Sequence, residues 1–489
     1  MWWKITFNIA SWRKRLFLPF IWGKAMDVPF INPDALKRVE QYIAATRYQL
    51  GIPGLVVAIV QGHKVVYQRG LGHTVPRRSV TPQTPFVLGS LSKSFTALAI
   101  MQLAESGKLD LDTPVQQYLP WFTLRDRVAS AHITLRHLLT HTSGLPRAAG
   151  REHLLGTGFH TAQHAVYELQ YIRLVHPVGS VFEYSNLNYL ILGVIIETVS
   201  QEPYKRYIQH HIYQPLHMQH SYTSSVAAAS DHEMASGYQW WFGIPRVAPA
   251  PYVSTAIASA FLISCAEDMG RYLLAYLDAG ASNGSLLSPQ SFAQMFKQQV
   301  PIPGRDASYG LGWRIERIGE ELLYRHGGEV SNFRADMVML PAHKLGVVVL
   351  ANCNNGMVAQ LGLDQIALNV VRLLLGQPLP RKMLTFCGFY ALVDILVVVI
   401  SLLQVGSLVQ LLRSLLLHRR PTRVSAGSLL ALFGDVIGSV VLLWRLPKWA
   451  DMSWRGLFRY VPDISQWLVG MSAVSLVKVG VRLYRWLRE

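Results

Sequence analysis

Three apolar stretches late in the chain, at about 384–412, 426–444 and 461–481, limit most sharply what it can fold into. Each reaches roughly the 20 residues that a helix needs to cross the hydrocarbon core of a bilayer. In lipid every backbone polar group must be satisfied within protein, so these stretches predict membrane helices. The run Ile395-Leu396-Val397-Val398-Val399-Ile400 would not be tolerated on a soluble surface, and a buried helical domain is the competing reading. Asp394 and Asp435 fall inside the spans, where an acid needs a partner or water. The plain expectation is a helix-packing hydrogen bond from a protonated acid; the alternative is a grip on substrate or on a partner protein.

A formal net charge of +17 invites a nucleic-acid reading, but its distribution argues against one. Residues 1–24 carry five Lys/Arg and no acid, and residues 381–489 carry 14 Lys/Arg against five Asp/Glu. The stretch between them holds 27 basic and 24 acidic residues, so the excess sits at the ends. Basic ends beside apolar segments read as membrane flanks. Arg413, Arg419, Arg420 and Arg423 in the first loop, with Lys478, Arg482, Arg485 and Arg488 at the end, place those parts in the cytoplasm. The bulk of the chain would then lie outside, on a plasma membrane; Arg445, Lys448, Arg455 and Arg459 in the second loop dilute the asymmetry. Residues 1–30 combine Arg13-Lys14-Arg15 with a short apolar run and Trp2, Trp3 and Trp12, and read as a signal-like or interfacial segment.

Upstream, three clusters carry chemistry. Ser90-Leu91-Ser92-Lys93 runs into the helix-forming Phe95-Thr96-Ala97-Leu98-Ala99-Ile100-Met101. A serine and a lysine three apart at a helix start share one face, so a neutral amine could take the serine proton. Tyr184-Ser185-Asn186 stands before the apolar run 190–198. A phenol beside an ammonium loses proton affinity and can serve as base and then acid, and an amide can bind a substrate amide. His326-Gly327-Gly328 is expected to end or edge a strand, where two glycines admit a substrate backbone and the Glu329 N–H can point into the site.

Ser-x-x-Lys, Tyr-x-Asn and His-x-Gly, in this order and with these gaps, resemble the serine β-lactamase and penicillin-binding-protein superfamily. The likeness is nearest to the class C β-lactamase branch with its esterases and D-aminopeptidases. The stretches Leu138-Leu139-Thr140-His141-Thr142-Ser143-Gly144-Leu145-Pro146 and Tyr309-Gly310-Leu311-Gly312-Trp313 look like that branch's landmarks, and the resemblance covers about 34–375. It implies Ser90 as acylated nucleophile, Lys93 and Tyr184 as proton relay, and Asn186, His326, Gly327 and Gly328 as substrate-binding residues. It implies an oxyanion hole of the Ser90 and Glu329 N–H groups. His326 stands where many members carry lysine; a histidine is only partly charged near neutral pH, which lowers the expectation of a true β-lactamase.

The implied fold is α/β: an antiparallel sheet of β-lactamase type flanked by helices, with an inserted all-α region at roughly 110–250, then about three transmembrane helices. The expected division is 1–30, a hydrolase domain at 31–378 and a membrane domain at 379–489. Strands are expected near 55–60, 65–68, 312–317, 322–325, 335–340 and 345–351, after a helix at 34–50 and before one at 357–375. His210, His211, His217 and His220 match no metal spacing, and neither metal nor cofactor is expected. His141 and Ser143 are read as loop-ordering, and Cys265, Cys353 and Cys387 give no disulfide framework.

The expected function is a membrane-anchored serine hydrolase working through an acyl-enzyme on D-amino-acid-containing or acylated peptides. This plan is similar to bacterial peptidases that trim acyl-D-amino-acid caps. Esterase and β-lactamase remain open, as do a penicillin-binding sensor that is acylated but not turned over and a dead scaffold. The partners expected are a small-molecule or peptide substrate and a membrane, with no nucleic acid and no protein partner predictable.

Overall fold

The computed structural model describes residues 31–487, apart from 76–77, 157, 159–160, 231–233, 249–251, 279–285, 358–361, 381–384 and 418–425. The expected signal-like segment, Arg488 and most of the arginine-rich first loop lie outside the described residues.

The frame is a nine-stranded sheet. Its strands are β1 (Gly54–Gln61), β2 (Lys64–Val75), β3 (Arg78–Ser79), β4 (Val300–Pro301), β5 (Ser308–Tyr309), β6 (Arg314–Ile318), β7 (Glu321–Val330), β8 (Phe333–Leu340) and β9 (Leu345–Ala351). The order across the sheet is β3-β2-β1-β9-β8-β7-β6-β5-β4, and the pairs are antiparallel. The first long strand therefore pairs with the last, with Leu55 opposite Ala351. All eight residues of β1 are buried because both faces of the sheet are covered. Val56, Ala58 and Val60 point into one core; Leu55, Val57 and Ile59 point into the other. This is the period-2 alternation of a strand, made apolar on both sides by its central place.

One core layer holds helices α2 (Ser92–Glu105), α3 (Asn186–Ser200) and α4 (Ala266–Leu277). The other holds α1 (Pro33–Gln49) and α5 (Ile366–Leu374). Between α2 and α3 the chain forms short helices, as expected for the inserted region, but the span to 250 is not all-α: Tyr238–Trp241 and Ile244–Val247 pair as a two-stranded hairpin. β7 differs from the expected strand: it runs from Glu321 to Val330, so His326, Gly327 and Gly328 sit inside it. Its register against β8 places His326 opposite Met337. The buried Arg325 guanidinium grips Asp336 through two bonds (2.9 and 2.7 Å), pinning the two strands beside the glycines.

Among the described residues, three helices are long and apolar enough to cross a membrane: Phe386–Leu416, Leu429–Trp449 and Pro462–Leu487. They run several residues past the expected C-terminal limits of 412, 444 and 481. The third packs against both others. Asp435, expected to make a helix-packing hydrogen bond, is bonded by two cations of the third helix. Lys478 Nζ donates to it at 2.8 Å and Arg482 Nη1 also bonds it, while Gln404 Oε1 takes a further bond from Lys478 at 2.5 Å. Two cations one helical turn apart on the third helix supply the counter-charge for an acid set in an apolar stretch. Asp435→Asn leaves both cations without their acid and is expected to lower the bundle's unfolding free energy by about 3 kcal/mol. An unchanged unfolding curve in detergent would show that the cluster holds nothing together.

Candidate active site

Ser90 lies in the tight turn Gly89–Leu91 that leads into α2. Gly89 has φ +55°, a conformation that favours glycine, and a Cβ there would lie 2.3 Å from the Glu329 nitrogen. A Cβ on Gly328 would lie 1.9 Å from the Leu88 carbonyl oxygen. The two glycines therefore let β7 press its backbone against the serine turn, which brings Glu329 beside Ser90. Ser92 Oγ locks the turn, donating to Gly89 O (2.8 Å) and accepting from Leu262 N (3.1 Å).

Every residue of α2 from Ser92 to Met101 is buried, and Lys93 is buried with them. Its ammonium donates to Ser90 Oγ (3.0 Å), Asn186 Oδ1 (2.7 Å) and Ser259 O (2.8 Å). It also lies 5.0 Å from the centre of the Tyr184 ring. Burial pushes the Lys93 amine below its ordinary range, opposed by Tyr184. Burial by itself would raise the Tyr184 phenol. The charge of Lys93 and hydrogen bonds with Lys93 and Ser90 outweigh it, and the net shift is downward. Ser90 and Tyr184 stay partly exposed over a buried amine, so a substrate can reach both.

The structure gathers the sequence-predicted residues at one place but sets two of them differently from expectation. Asn186 spends its carbonyl on Lys93 and donates through Nδ2 to Gly150 O at 3.1 Å, which leaves one N–H for a substrate. His326 is buried, with Tyr309 OH at 3.1 Å from Nε2 and its own neighbour's carbonyl, Gly327 O, at 2.8 Å from Nδ1. A carbonyl only accepts, so Nδ1 carries the proton and Nε2 accepts from the tyrosine. Burial, then the charges of Arg314 and Lys93, push the imidazole well below its ordinary value. His326 is therefore neutral, not partly charged.

Sequence reasoning missed Arg314, the first residue of β6. Its charge bears on Lys93, Tyr184, His141 and His326, and its Nε has no partner among the described residues. The signal was its position immediately after the Tyr309–Trp313 landmark. His141 and Ser143 order the neighbouring loop as expected. Ser143 Oγ donates to Asn188 Oδ1 (2.6 Å), and His141 Nδ1 accepts from the Ser185 N–H (3.2 Å). The His141 ring lies 4.3 Å from that of Tyr184, which it buttresses. Among the described residues no group of three or more His, Cys, Asp or Glu could hold a metal ion. The two surface histidines His210 and His211 face Glu202 instead.

Acid should weaken this fold. Burial holds His141 and His326 well below 6.5 and His153 at about 4. Unfolded, all three take protons near 6.5, so below that pH the unfolded chain binds protons that the folded chain refuses. Each costs about 1.4 kcal/mol per pH unit until its folded value is reached. Between pH 7 and 5 the melting temperature is expected to fall by roughly 5–10 °C. A flat profile would mean that these imidazoles are not buried in neutral form.

A family model described as Beta-lactamase matches residues 39–370. Protein Flp of Staphylococcus aureus is 29% identical over 333 residues, which span 68% of this chain and 66% of that protein, just under two thirds of its length. PbpX of Bacillus subtilis is 31% identical over 289 residues, 58% of this chain and 68% of that one. Among solved structures, the octameric penicillin-binding protein homologue from Pyrococcus abyssi superposes with a TM-score of 0.63 at 30% identity. That match covers 70% of this chain and 78% of the homologue. A class C beta-lactamase gives 0.60 at 22% identity, over 71% and 98% of the two chains, a likeness of fold.

Proposed function

Because this chain belongs to the beta-lactamase family, whose fold serves serine hydrolases, we propose that it is a membrane-anchored hydrolase acting through an acyl-enzyme formed on Ser90. The observation that carries the reading is the Lys93 ammonium, 3.0 Å from Ser90 Oγ and paired with Tyr184. In the proposed first step Ser90 Oγ bonds to a carbonyl carbon, and its proton passes to the Lys93–Tyr184 pair. The oxyanion is held by the N–H groups of Ser90 and Glu329. The carbon–nitrogen bond then breaks, and the same pair returns the proton to the leaving amine. Water repeats the sequence on the ester and frees Ser90.

The substrate class we propose is a D-amino-acid-containing or acylated peptide. Arg314 supports an anionic group near the site, since it supplies the charge that a neutral His326 does not. The three apolar helices support membrane anchoring. We place the hydrolase domain, at 31–378, outside the plasma membrane, and the membrane domain at 379–489.

The test is intact-mass analysis of the full chain in detergent after exposure to a fluorophosphonate, followed by D-amino-acid amides, esters and a β-lactam. One adduct on Ser90 and turnover of the peptide amides are expected. Turnover of esters or β-lactam alone would replace the substrate class. A stable β-lactam adduct without turnover would make this a penicillin-binding sensor, and a folded protein without any adduct would end the hydrolase reading.

A further inference from the structure

The segment joining the second and third apolar helices, residues 450–461, is fastened to the hydrolase domain. Arg151 Nη1 donates to the carbonyls of Ala450 (3.2 Å) and Asp451 (3.0 Å), and Arg151 lies 3.7 Å from the Asp451 carboxylate. Ser453 Oγ donates to Glu152 Oε2 at 2.7 Å, and Arg455 Nη2 to Leu155 O at 2.8 Å. These partners lie on the short helix Arg147–His153 and the turn after it. At its far end the segment reaches the opposite wall. Gly356 N donates to Tyr460 O at 2.8 Å, and Gln239 Nε2 bonds both Arg459 O and Ser331 O. Asn354, two residues before Gly356, donates to Glu329 Oε1 (3.2 Å) and Val330 O (2.7 Å). Tyr460 itself is buried, within the fields of both Glu329 and Arg151.

The segment thus bonds at once to the helix bearing Gly150 and to residues that touch the end of β7. One side carries Gly150, whose carbonyl holds Asn186, which holds Lys93. The helix bearing Gly150 has no slack: a Cβ at Gly150 would lie 2.6 Å from the Asn186 nitrogen and 2.8 Å from Ser185 Oγ. A shift of that helix must therefore move Asn186. The other side carries Glu329 and the β7 edge. We propose that residues 450–461 are a positioning element for catalysis, with Arg151 the positioning residue through which the membrane domain fixes the Gly150–Asn186–Lys93 chain against the β7 edge.

This inference rests on the acyl-enzyme reading, and its test separates the two. The rate of fluorophosphonate labelling is measured against pH for the full chain in detergent, with Arg151→Ala, Arg151→Lys and Arg455→Gln. Arg151→Ala is expected to label on the order of ten-fold more slowly, since small misplacements of reacting groups are costly. Its pH profile should shift as Lys93 loses a fixed acceptor, and Arg151→Lys should recover part of the rate. Arg455→Gln, an exposed residue bonded to the Leu155 carbonyl, should slow labelling in the same sense and keeps the test open if Arg151→Ala does not fold. Folded variants with wild-type rates and profiles would overturn the proposal. A wild-type chain that takes no label overturns the acyl-enzyme reading, and this proposal with it.

Discussion

Lys93→Met is expected to slow acylation of Ser90 by about a thousandfold while the protein still folds. The side chain is buried and its nitrogen lies 3.0 Å from Ser90 Oγ, within reach of the serine proton once the amine is neutral. Methionine keeps the volume and removes the amine. Tyr184 then loses the charge that lowers its phenol, so both members of the proposed relay fail together, and Tyr184→Phe in the Lys93→Met background should add little. In the wild type, burial moves Lys93 below 10.5, and Lys93 moves Tyr184 below 10.0. Labelling should therefore rise with pH through a limb below both ordinary values. Methionine removes a charge from a buried site but strands the acceptors Asn186 Oδ1 and Ser259 O, so the two effects on stability oppose each other. Labelling rate against pH is the measurement, and wild-type speed in the Lys93→Met protein would assign the base elsewhere.

Gly328→Ala is the second large effect, and it acts through the backbone alone. A methyl at that position would sit 1.9 Å from the Leu88 carbonyl oxygen, so β7 must lift from the serine turn. Lifting takes the Glu329 N–H away from the proposed oxyanion site beside Ser90. Loss of one such donor costs about a hundredfold to a thousandfold in rate. Gly327→Ala, read by the small fluorophosphonate and not by a peptide substrate, is the comparison for backbone displacement: its added Cβ meets Arg334 Nη2 at 3.7 Å and Asp336 Oδ1 at 3.9 Å, ordinary contacts. Equal labelling rates for the two alanine variants would show that Glu329 takes no part in the oxyanion hole.

Much of this arrangement was legible in the sequence because spacing carries it. Ser90 and Lys93 meet through helical spacing, and the short apolar runs at 55–60 and 345–351 mark strands. The length of the apolar runs marked the spans. What escaped is what depends on long-range placement. That His326 is neutral follows from burial and from Arg314 and Lys93, none of them near it in sequence. That the Asn186 carbonyl is spent on Lys93 depends on how α3 meets α2. The pairing of Asp435 with Lys478 and Arg482 joins different helices, while in sequence the lysine and the arginine read only as flanking charge. The strand through His326 and the glycines was underestimated because glycines weaken strands in general; here close approach to the serine turn requires them.

The sheet order has a bearing on how the protein comes into being. When β1 emerges it can zip at once onto β2, but its other edge belongs to β9. Until the chain has been extended to Ala351, the hairpin carries a bare row of amides and carbonyls flanked by valine, leucine and isoleucine. Such an edge is a template for wrong partners, and its proper partner arrives through a slow, long-range closure. Shortening the chain before Leu345 would leave that edge permanently open, so truncated products should gather into aggregates instead of surviving as small stable domains. Birth order thus makes the last strand of the sheet the one that renders all the earlier ones safe.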